Sequence, residues 1–396
     1  MAKARKKYDW VVLNQSQSPV FQRMLEQLSA KLGSCLALTG MPYPVEGGQL
    51  DVRAAPRYVR KSLPSRAWSW FLFLVTSLVV VLRLPGRPFV LAVTNPPVLP
   101  HLVWLAHKLR RNAYGLLVWD VYPDHMVNMG LLRETGLFAR LWARMNARAM
   151  LDARVVITLS EGMREALRRH LGQQASSVRI EVIPNWADTD QLWPVPKAQN
   201  PFAVEHDQVG RITVLYSGNM GTTHDLDTIV EAASNLQGEH QISFLLIGDG
   251  LGREQIEPAA AGLANVRLLP RQPWEVLPYS LATGDIAIVA QMPGSEHLSM
   301  PSKTYALMAA GCALLACTHS ESDLARLVRT WDLGAVCPQG DARAMANAIS
   351  LLAGDHDILV EARTRAREMA VERYSLQAVL PSLYGVLERA ISRSSD

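Results

Sequence analysis

The sequence predicts an α/β protein made of two doubly wound units, each a parallel β-sheet covered by helices. Short apolar runs of strand type alternate with helical patterns along the chain, which is typical of parallel sheets buried between helices. The chain has 396 residues, more than a single typical core needs, and its length suits two domains of roughly 150 to 200 residues. Because 49% of the residues are hydrophobic, each half can bury a core of its own.

The expected strands follow this alternation. In the first half they are residues 10–13, 36–39, 89–94, 116–119, 155–159 and 180–183. In the second half they are residues 212–216, 242–247, 266–268, 286–290, 313–316 and 335–336. A proline-rich stretch without periodicity, 193–209, predicts the linker. We therefore expect domains at 1–195 and 205–375, followed by a last helix and tail at 376–396.

Charge is divided unevenly between the two halves. Residues 1–200 carry 26 Lys and Arg against 13 Asp and Glu, whereas the rest carries 14 against 23. Such a division indicates that the first half faces something anionic. Basic residues surround an apolar run there, which favours an anionic membrane surface over nucleic acid, since no RNA-binding motif with interleaved aromatic residues is found.

The apolar run itself, residues 67–82, contains no charge and begins with Trp68 and Trp70. Its sixteen residues are fewer than the roughly 20 that a spanning helix needs. Three interpretations stay open: a core helix on a sheet, a helix lying in the membrane interface, and a true span. The four cysteines have no metal-ligand spacing and predict reduced, packed thiols in a cytoplasmic protein.

A turn rich in glycine follows one of the buried strands in the second half. The segment 215–231 runs from a strand through Gly218, Asn219 and Gly221 into a helix that Asp225, Asp227 or Thr223 could cap. Glycines allow a tight turn with exposed amides, and the positive end of a helix attracts phosphate. The turn predicts a phosphate site, although many α/β proteins have such turns without one.

Further motifs place this turn in a family. The chain reads S-G-N-M-G-T-T-H-D-L-D from Ser217 and P-S-K-T-Y from Pro301, with D-V-Y-P-D at 120–124, S-E-G-M at 160–163, P-N-W-A-D at 184–188 and I-G-D-G at 247–250. In this order the motifs resemble the retaining, two-domain glycosyltransferases of family 4, especially the bacterial branch that builds polysaccharides. The resemblance covers most of the chain.

The resemblance implies a GT-B architecture, in which two Rossmann-like domains face each other across a cleft. In that family the donor binds to the second domain, the acceptor binds to the first, and a C-terminal helix crosses back onto the first. Metal is usually unnecessary, so no metal and no cofactor are expected. The implied partners are a nucleotide sugar, a lipid-linked or polysaccharide acceptor and an anionic membrane surface, with no nucleic acid.

The donor site departs from the family pattern. Many relatives have a basic pair in G-R-x-x-x-x-K-G, where this chain has Asn219 and His224. Asn carries no charge and His carries only part of one at neutral pH. Lys303, beside Ser302 in the P-S-K turn, or Arg271 must then supply positive charge to the diphosphate. The alternative for both cations is a solvated surface side chain.

A second departure concerns a pair of glutamates that the family carries eight residues apart. The later one, which holds the donor ribose, falls on Ala306, so that contact is absent or made elsewhere. The earlier one falls on Leu298 by the same count, or on Glu296 by its distance from Pro301. We expect Glu296 to touch the transferred sugar, with a solvated loop charge as the alternative.

The acceptor side is expected in the first domain. Asp120 and Asp124 bracket a loop at a strand end, where they could orient an acceptor hydroxyl or act as a weak base. Retaining members are thought to use the leaving phosphate as base, and Asp120 could instead cap a helix. Asn95 is a further candidate for the acceptor site. Four histidines of this half show no ligand spacing and are expected to be solvated or core residues, namely His101, His107, His125 and His170.

Together these features predict a retaining hexosyltransferase, peripheral on the inner face of the plasma membrane. It would use a nucleotide sugar and a polyprenyl-diphosphate-linked or polysaccharide acceptor. The alternative is a degenerate GT-B homologue that serves as a scaffold or binding subunit, which Asn219, His224 and Ala306 favour. A sugar-nucleotide epimerase on the same fold is a third candidate.

Overall fold

A computed structural model describes residues 6–45, 48–59, 62–221 and 225–392, without the side chain of Leu63. By its internal contacts the chain divides into two compact units. The first consists of Met1–Pro184 and Leu380–Asp396, and the second is Asn185–Val379. Each unit contains one parallel sheet with helices, so the predicted α/β class with two Rossmann-like domains is confirmed.

In the described part of the first unit the sheet has seven strands, in the order β3-β2-β1-β4-β5-β6-β7. The strands are β1 (Trp10–Leu13), β2 (Cys35–Thr39), β3 (Leu50–Ala54), β4 (Phe89–Val93), β5 (Tyr114–Val118), β6 (Val155–Thr158) and β7 (Ile180–Val182). The helices are α1 (Pro19–Leu32), α2 (Leu63–Arg83), α3 (Leu99–Arg110), α4 (Asp124–Asn128), α5 (Leu137–Asp152) and α6 (Glu161–Leu171). The strand order reverses between β1 and β4, where sheets of this kind place their ligands.

Strand β3 was not predicted from the sequence. Its residues Leu-Asp-Val-Arg-Ala include two charges, and its far end is exposed. The strand pairs on one side with β2, in parallel register from Cys35↔Leu50 to Thr39↔Ala54, and forms the edge of the sheet. An edge strand with one solvated face lacks the continuous apolar run that identifies a buried strand.

Helix α2 is longer than the apolar run that indicated it. Ser62 caps it in a reciprocal capping box with Ser65. The stretch Pro64–Arg83 is long and apolar enough to cross a membrane, with a mean hydropathy of 1.7, yet only 22% of its most apolar window is buried. Phe73 and Val81 are fully buried on one face. Helix α2 is therefore not a core helix that is buried on most sides.

The described part of the second unit has a six-stranded parallel sheet in the order β10-β9-β8-β11-β12-β13. The strands are β8 (Ile212–Ser217), β9 (Ile242–Ile247), β10 (Val266–Leu269), β11 (Ile286–Ala290), β12 (Ala313–Cys317) and β13 (Gly334–Cys337). The helices are α7 (Pro201–Glu205), α8 (Leu226–Asn235), α9 (Leu251–Ala261), α10 (Leu277–Ala282), α11 (Lys303–Ala309), α12 (Asp323–Thr330), α13 (Ala342–Gly354) and α14 (His356–Glu372). The order reverses between β8 and β11.

The last helix, α15 (Leu376–Ser392), begins in the second unit and continues through residues that belong by contact to the first.

The segment expected to be a linker packs on the second unit. Lys197 forms an ion pair with Asp285, which also binds Arg363 at 2.7 Å. The backbone of Ala187 pairs with that of Ser375. These contacts set the border between Pro184 and Asn185, whereas the domain limits at 195, 205 and 375 stay predictions.

Candidate active site

The turn after β8 lies at the carboxyl edge of the second sheet, beside the point where the strand order reverses. Gly218 and Asn219 are exposed. The amide of Gly218 donates to the Ile247 carbonyl at 3.0 Å, and the amide of Met220 donates to the Asp249 carbonyl at 3.0 Å. The expectation that the Gly218 amide is exposed for phosphate is therefore wrong, because the neighbouring turn uses this donor.

That neighbouring turn, between β9 and α9, presses its glycines against the first. A Cβ on Gly248 would lie 2.0 Å from the Gly218 carbonyl oxygen, and one on Gly250 would lie 2.3 Å from the Met220 carbonyl oxygen. Gly250 also has φ +143°, which disfavours any other residue. The I-G-D-G motif thus acts as a backbone support that fixes the turn at 218–220.

Lys303 reaches the same turn from the beginning of α11. Its Cδ lies 3.7 Å from the position of a Cβ on Gly218, and its Nζ lies 4.0 Å from the centre of the Tyr216 ring. The Tyr216 hydroxyl donates to the Asn219 carbonyl at 2.8 Å. Burial lowers the pKa of Lys303 to about 8, against a smaller opposing effect of Cys317. The turns near Asn219 and Lys303 therefore converge.

The other donor candidates differ in how closely they approach this centre. The amide of Arg271 donates to an Asp249 carboxylate oxygen at 3.3 Å, while the Arg271 side chain is exposed. Gly221 is half-buried, and its carbonyl oxygen would lie 3.0 Å from a Cβ on Gly252. Ser302 is exposed just before α11. His224 falls outside the described residues.

Glu296 is half-buried in the loop that follows β11. Its Oε1 accepts a hydrogen bond of 2.9 Å from Gln339, whose Nε2 also donates to the Gln291 carbonyl at 3.2 Å. Glu296 is therefore held by a neighbour rather than freely solvated. Asp225 caps α8 by accepting from the Thr228 amide at 3.4 Å, one of the caps considered from the sequence.

In the first unit, Asp120 follows β5 at the carboxyl edge of the sheet. The Thr94 hydroxyl oxygen at the end of the neighbouring β4 accepts from the amides of Trp119 at 3.0 Å and Asp120 at 3.4 Å. Burial raises the pKa of Asp120, and the charge of His125 acts against this rise. Asp120 does not cap a helix, since α4 begins only at Asp124. Asn95, after β4, is half-buried, and its carbonyl accepts from the Gln15 amide at 3.1 Å.

Asp124 is paired with a residue that the sequence did not single out. His170 Nε2 lies 2.6 Å from Asp124 Oδ2, although the two are far apart along the chain. Burial raises the pKa of Asp124, but the hydrogen bond and charge of His170 outweigh it, so the pKa lies below its ordinary value. His170, expected to be a solvated or core residue, is a mostly buried histidine that pairs with Asp124.

Polar atoms without partners gather around the same two aspartates. Among the described residues, buried nitrogens without a hydrogen-bond partner include Trp119 Nε1, His125 Nδ1, Asn128 Nδ2 and His170 Nδ1, and also Asn14 Nδ2 just after β1. Buried polar groups are seldom left unpaired, because each costs about 1 to 3 kcal/mol. The ring and amide nitrogens of these side chains can form hydrogen bonds with the hydroxyl groups of a sugar.

Sequence reasoning missed His125 and His170 because it tested histidines only for metal-ligand spacing. The proximity of His125 to Asp-x-x-x-Asp was a local signal that could have found the first. Nothing in the local sequence indicates the second. Among the described residues, no group of three His, Cys, Asp or Glu side chains could hold a metal ion.

Comparison with known proteins finds similarity to glycosyltransferases. The family described as "Glycosyl transferases group 1" matches residues 211–355. The probable glycosyltransferase WbjE of Pseudomonas aeruginosa is 26% identical over 358 residues, which cover 86% of this chain and 87% of that protein. The putative colanic acid biosynthesis glycosyl transferase WcaI of Escherichia coli K12 is 26% identical over 287 residues, covering 70% and 68%.

Solved structures share the fold at low sequence identity. The Anabaena protein HepE in complex with UDP and glucose has a TM-score of 0.71 and 15% identity, over 96% of this chain and 99% of that one. The sucrose-phosphate synthase of Thermosynechococcus elongatus has a TM-score of 0.76 and 15% identity, over 97% and 99%. These structures show that the chain has the GT-B fold. With the family match at residues 211–355 and the curated relatives over most of its length, the chain is a glycosyltransferase.

Proposed function

We propose that the chain transfers a hexose, with retention of configuration, from a nucleotide sugar to a polyprenyl-diphosphate-linked sugar or a growing polysaccharide. The observation that carries the proposal is the convergence of Lys303 with the turn at Gly218 and Asn219. A part-buried cation beneath an exposed turn is suited to a diphosphate. The names of WcaI and of the UDP complex of HepE support a polysaccharide pathway and a nucleotide donor.

In the second unit, the donor diphosphate is held by Lys303 and by the exposed side chain of Arg271. The turn residues Gly218, Asn219 and Gly221, together with His224 and Ser302, complete the donor site. Glu296, fixed by Gln339, contacts the hydroxyls of the transferred sugar. The cations take the place of a metal ion in stabilising the departing diphosphate, so transfer requires no added metal.

In the first unit, Asp120 orients the acceptor hydroxyl, and the buried nitrogens of Trp119 and His125 bind neighbouring hydroxyls of the acceptor. The pair of Asp124 and His170, with Asn95, frames the same edge. As the bond to the anomeric carbon forms, the hydroxyl proton passes to an oxygen of the leaving diphosphate on the same face. This route leaves Asp120 a positioning and polarising group rather than a nucleophile.

The protein works as a peripheral protein on the inner face of the plasma membrane. This location is supported by an apolar face of the first unit, formed by exposed side chains of α2, α3 and α5. Its members are Trp68, Phe71, Leu72, Val75, Val79, Leu82, Leu105, Leu109, Leu137, Phe138 and Leu141. The three helices carry Asp152 as their one acid, and Lys108 neutralises it at 2.7 Å. Basic helices with exposed apolar residues are suited to an anionic bilayer.

A nucleotide-sugar panel tests this function. Calorimetry with UDP-, GDP- and dTDP-hexoses should give saturable binding for one base, and NMR of the product should give the anomer of the donor. Asp120→Asn should lower kcat by about a hundred-fold with little change in the KM for the donor, since Asp120 orients the acceptor hydroxyl. Failure of every nucleotide sugar to bind would support a scaffold, and an inverted product would exclude the retaining mechanism.

A further inference from the structure

We propose that a pocket at the C-terminal end of α2 binds the phosphate of an anionic lipid headgroup. The pocket has a volume of about 380 Å³. Three cationic side chains line it, Lys6, Arg53 and Arg83, together with Tyr8 and an apolar wall of Val79, Val80, Leu84 and Pro85. This site rests on the peripheral membrane location proposed above and is separate from the donor and acceptor sites.

Among the described residues that line the pocket, three are cations and none is an acid. The Asp51 carboxylate accepts hydrogen bonds from the Tyr8 hydroxyl and, at 3.0 Å, from Lys6 Nζ. Burial and the Asp51 carboxylate raise the pKa of Tyr8 to about 12, so this hydroxyl stays neutral at physiological pH. Cations therefore outnumber acids among the described lining residues, as expected for a site that binds a phosphate group.

Position argues for a lipid rather than for the acceptor sugar. Tyr8 lies just before β1, at the amino edge of the first sheet, whereas Asp120 follows the carboxyl end of β5. The wall residue Val79 also belongs to the apolar face and is 37% exposed. The pocket therefore joins a cationic cavity to an apolar surface. A phospholipid presents the same junction, with its phosphate next to its acyl chains.

The end of α2 would by itself repel an anion, because its last carbonyls carry partial negative charge. Arg110 reduces this obstacle. Its guanidinium donates to the Val81 carbonyl, to the Leu84 carbonyl at 2.9 Å and to the Gly86 carbonyl at 2.7 Å. One carbonyl of the last turn of α2 and two just beyond the helix are thus bound by a cation, which offsets part of the negative charge at this end.

Vesicle sedimentation with matched variants tests the site. The full-length protein is mixed with phosphatidylcholine vesicles that contain phosphatidic acid. Arg53→Gln and Arg83→Gln each remove a cation that lines the pocket. Arg87→Gln removes the same charge from an exposed position on the same edge that does not line it. A charge that attracts the bilayer only diffusely is worth about five-fold in partition. Hydrogen bonds to a phosphate should make each pocket variant at least about 20-fold weaker.

Each outcome has a definite meaning. Losses of more than about 20-fold for the pocket variants and about five-fold for Arg87→Gln support the site. Equal losses for all three overturn it while leaving membrane docking intact. Inorganic phosphate is added at millimolar concentration as a competitor: displacement of the protein from vesicles would show a free-phosphate site and overturn the lipid assignment. Thermal unfolding of each variant establishes that it is folded.

The same preparation separates this inference from the proposed function. Nucleotide-sugar binding by calorimetry reports on the second unit alone. Donor binding without vesicle binding would overturn the lipid site and the membrane location but not the transferase. Vesicle binding without donor binding would overturn the donor assignment and leave the lipid site standing.

Discussion

Lys303 combines two properties that the donor site needs, position and a titratable charge. Its ammonium group lies over the Tyr216 ring and under the turn at Gly218. Burial, which lowers its pKa to about 8, brings its titration close to physiological pH. A lysine in solution titrates near 10.4 and would stay charged throughout this range. The charge at the donor site is therefore sensitive to pH.

We expect the affinity for UDP, or for the nucleoside diphosphate of the preferred base, to fall as the pH rises through about 8. The protonated ammonium binds the diphosphate, and above this pH the free protein loses that proton. Lys303→Met should bind about ten- to hundred-fold more weakly below pH 8, as expected for loss of a charged hydrogen bond. It should also lose the pH dependence.

Calorimetry between pH 6.5 and 9.5 measures this dependence, with Arg343→Gln on α13 as a variant of an exposed cation in the same unit. Arg343→Gln should behave as the unchanged protein. A pH profile that stays the same in Lys303→Met would show that another group titrates and would remove Lys303 from the donor site.

Single residues were the hardest level to predict from the sequence. Asp120, Asp124 and Lys303 were predicted as site residues because each stands in a motif, and their roles stay predictions. The pairing of His170 with Asp124 was not predicted, because the two residues belong to different helices and meet only through the packing of α4 and α6. The hydrogen bond from the Gly218 amide to the Ile247 carbonyl could not be predicted either, because it depends on the register of two strands.

At the scale of elements, α2 has two faces with different tasks. Phe73 is fully buried and packs in the first unit, whereas Phe71 is 52% exposed and stacks on Trp68 at 5.6 Å between ring centres. The helix thus stabilises its domain with one side and offers apolar surface with the other. The sequence predicted its apolar character, but 67–82 alone could not tell which residues face the sheet.

Two substitutions in this helix separate these tasks. Phe73→Ala should lower the free energy of unfolding by about 3 to 5 kcal/mol, because it opens a cavity in the core. Phe71→Ala should change stability by less than about 0.5 kcal/mol, yet reduce partition to anionic vesicles roughly ten-fold, since its ring no longer enters the interface. Denaturant unfolding and vesicle sedimentation measure both. Unchanged partition of Phe71→Ala would remove the apolar face from the membrane contact.

For the whole molecule, the alternation of apolar runs and helices was sufficient to predict the fold. Twelve expected strands correspond to twelve of the thirteen observed in the described residues, and the thirteenth is the edge strand β3. Buried parallel strands are apolar on both faces, so they stand out in a sequence, whereas a solvated edge does not. The domain border was less predictable, because it depends on side chains such as Lys197 that bind the segment to one unit.

The uneven charge of the two halves leads to a prediction for the whole molecule. We expect binding to anionic vesicles to weaken steeply between 0.1 and 1 M NaCl, as the screening length falls from about 10 Å to about 3 Å. Nucleotide binding by the acidic second half should change less, because Lys303, one of the two cations proposed for the donor site, is part-buried. Cosedimentation and calorimetry in the same salt series provide the comparison. Equal binding to neutral vesicles, independent of salt, would show that charge does not direct the protein to membranes.

The hydrogen bonds that the segment 247–250 makes to the turn at 218–220 join backbone atoms, from the amides of Gly218 and Met220 to the carbonyls of Ile247 and Asp249. The shape of this turn is consequently independent of the side chain at Asn219. A protein engineer could exchange that side chain for other polar or basic residues, and so alter donor preference, without disturbing the scaffold. The two glycines of the segment 247–250, by contrast, tolerate no such exchange, which makes them poor targets for any mutant library.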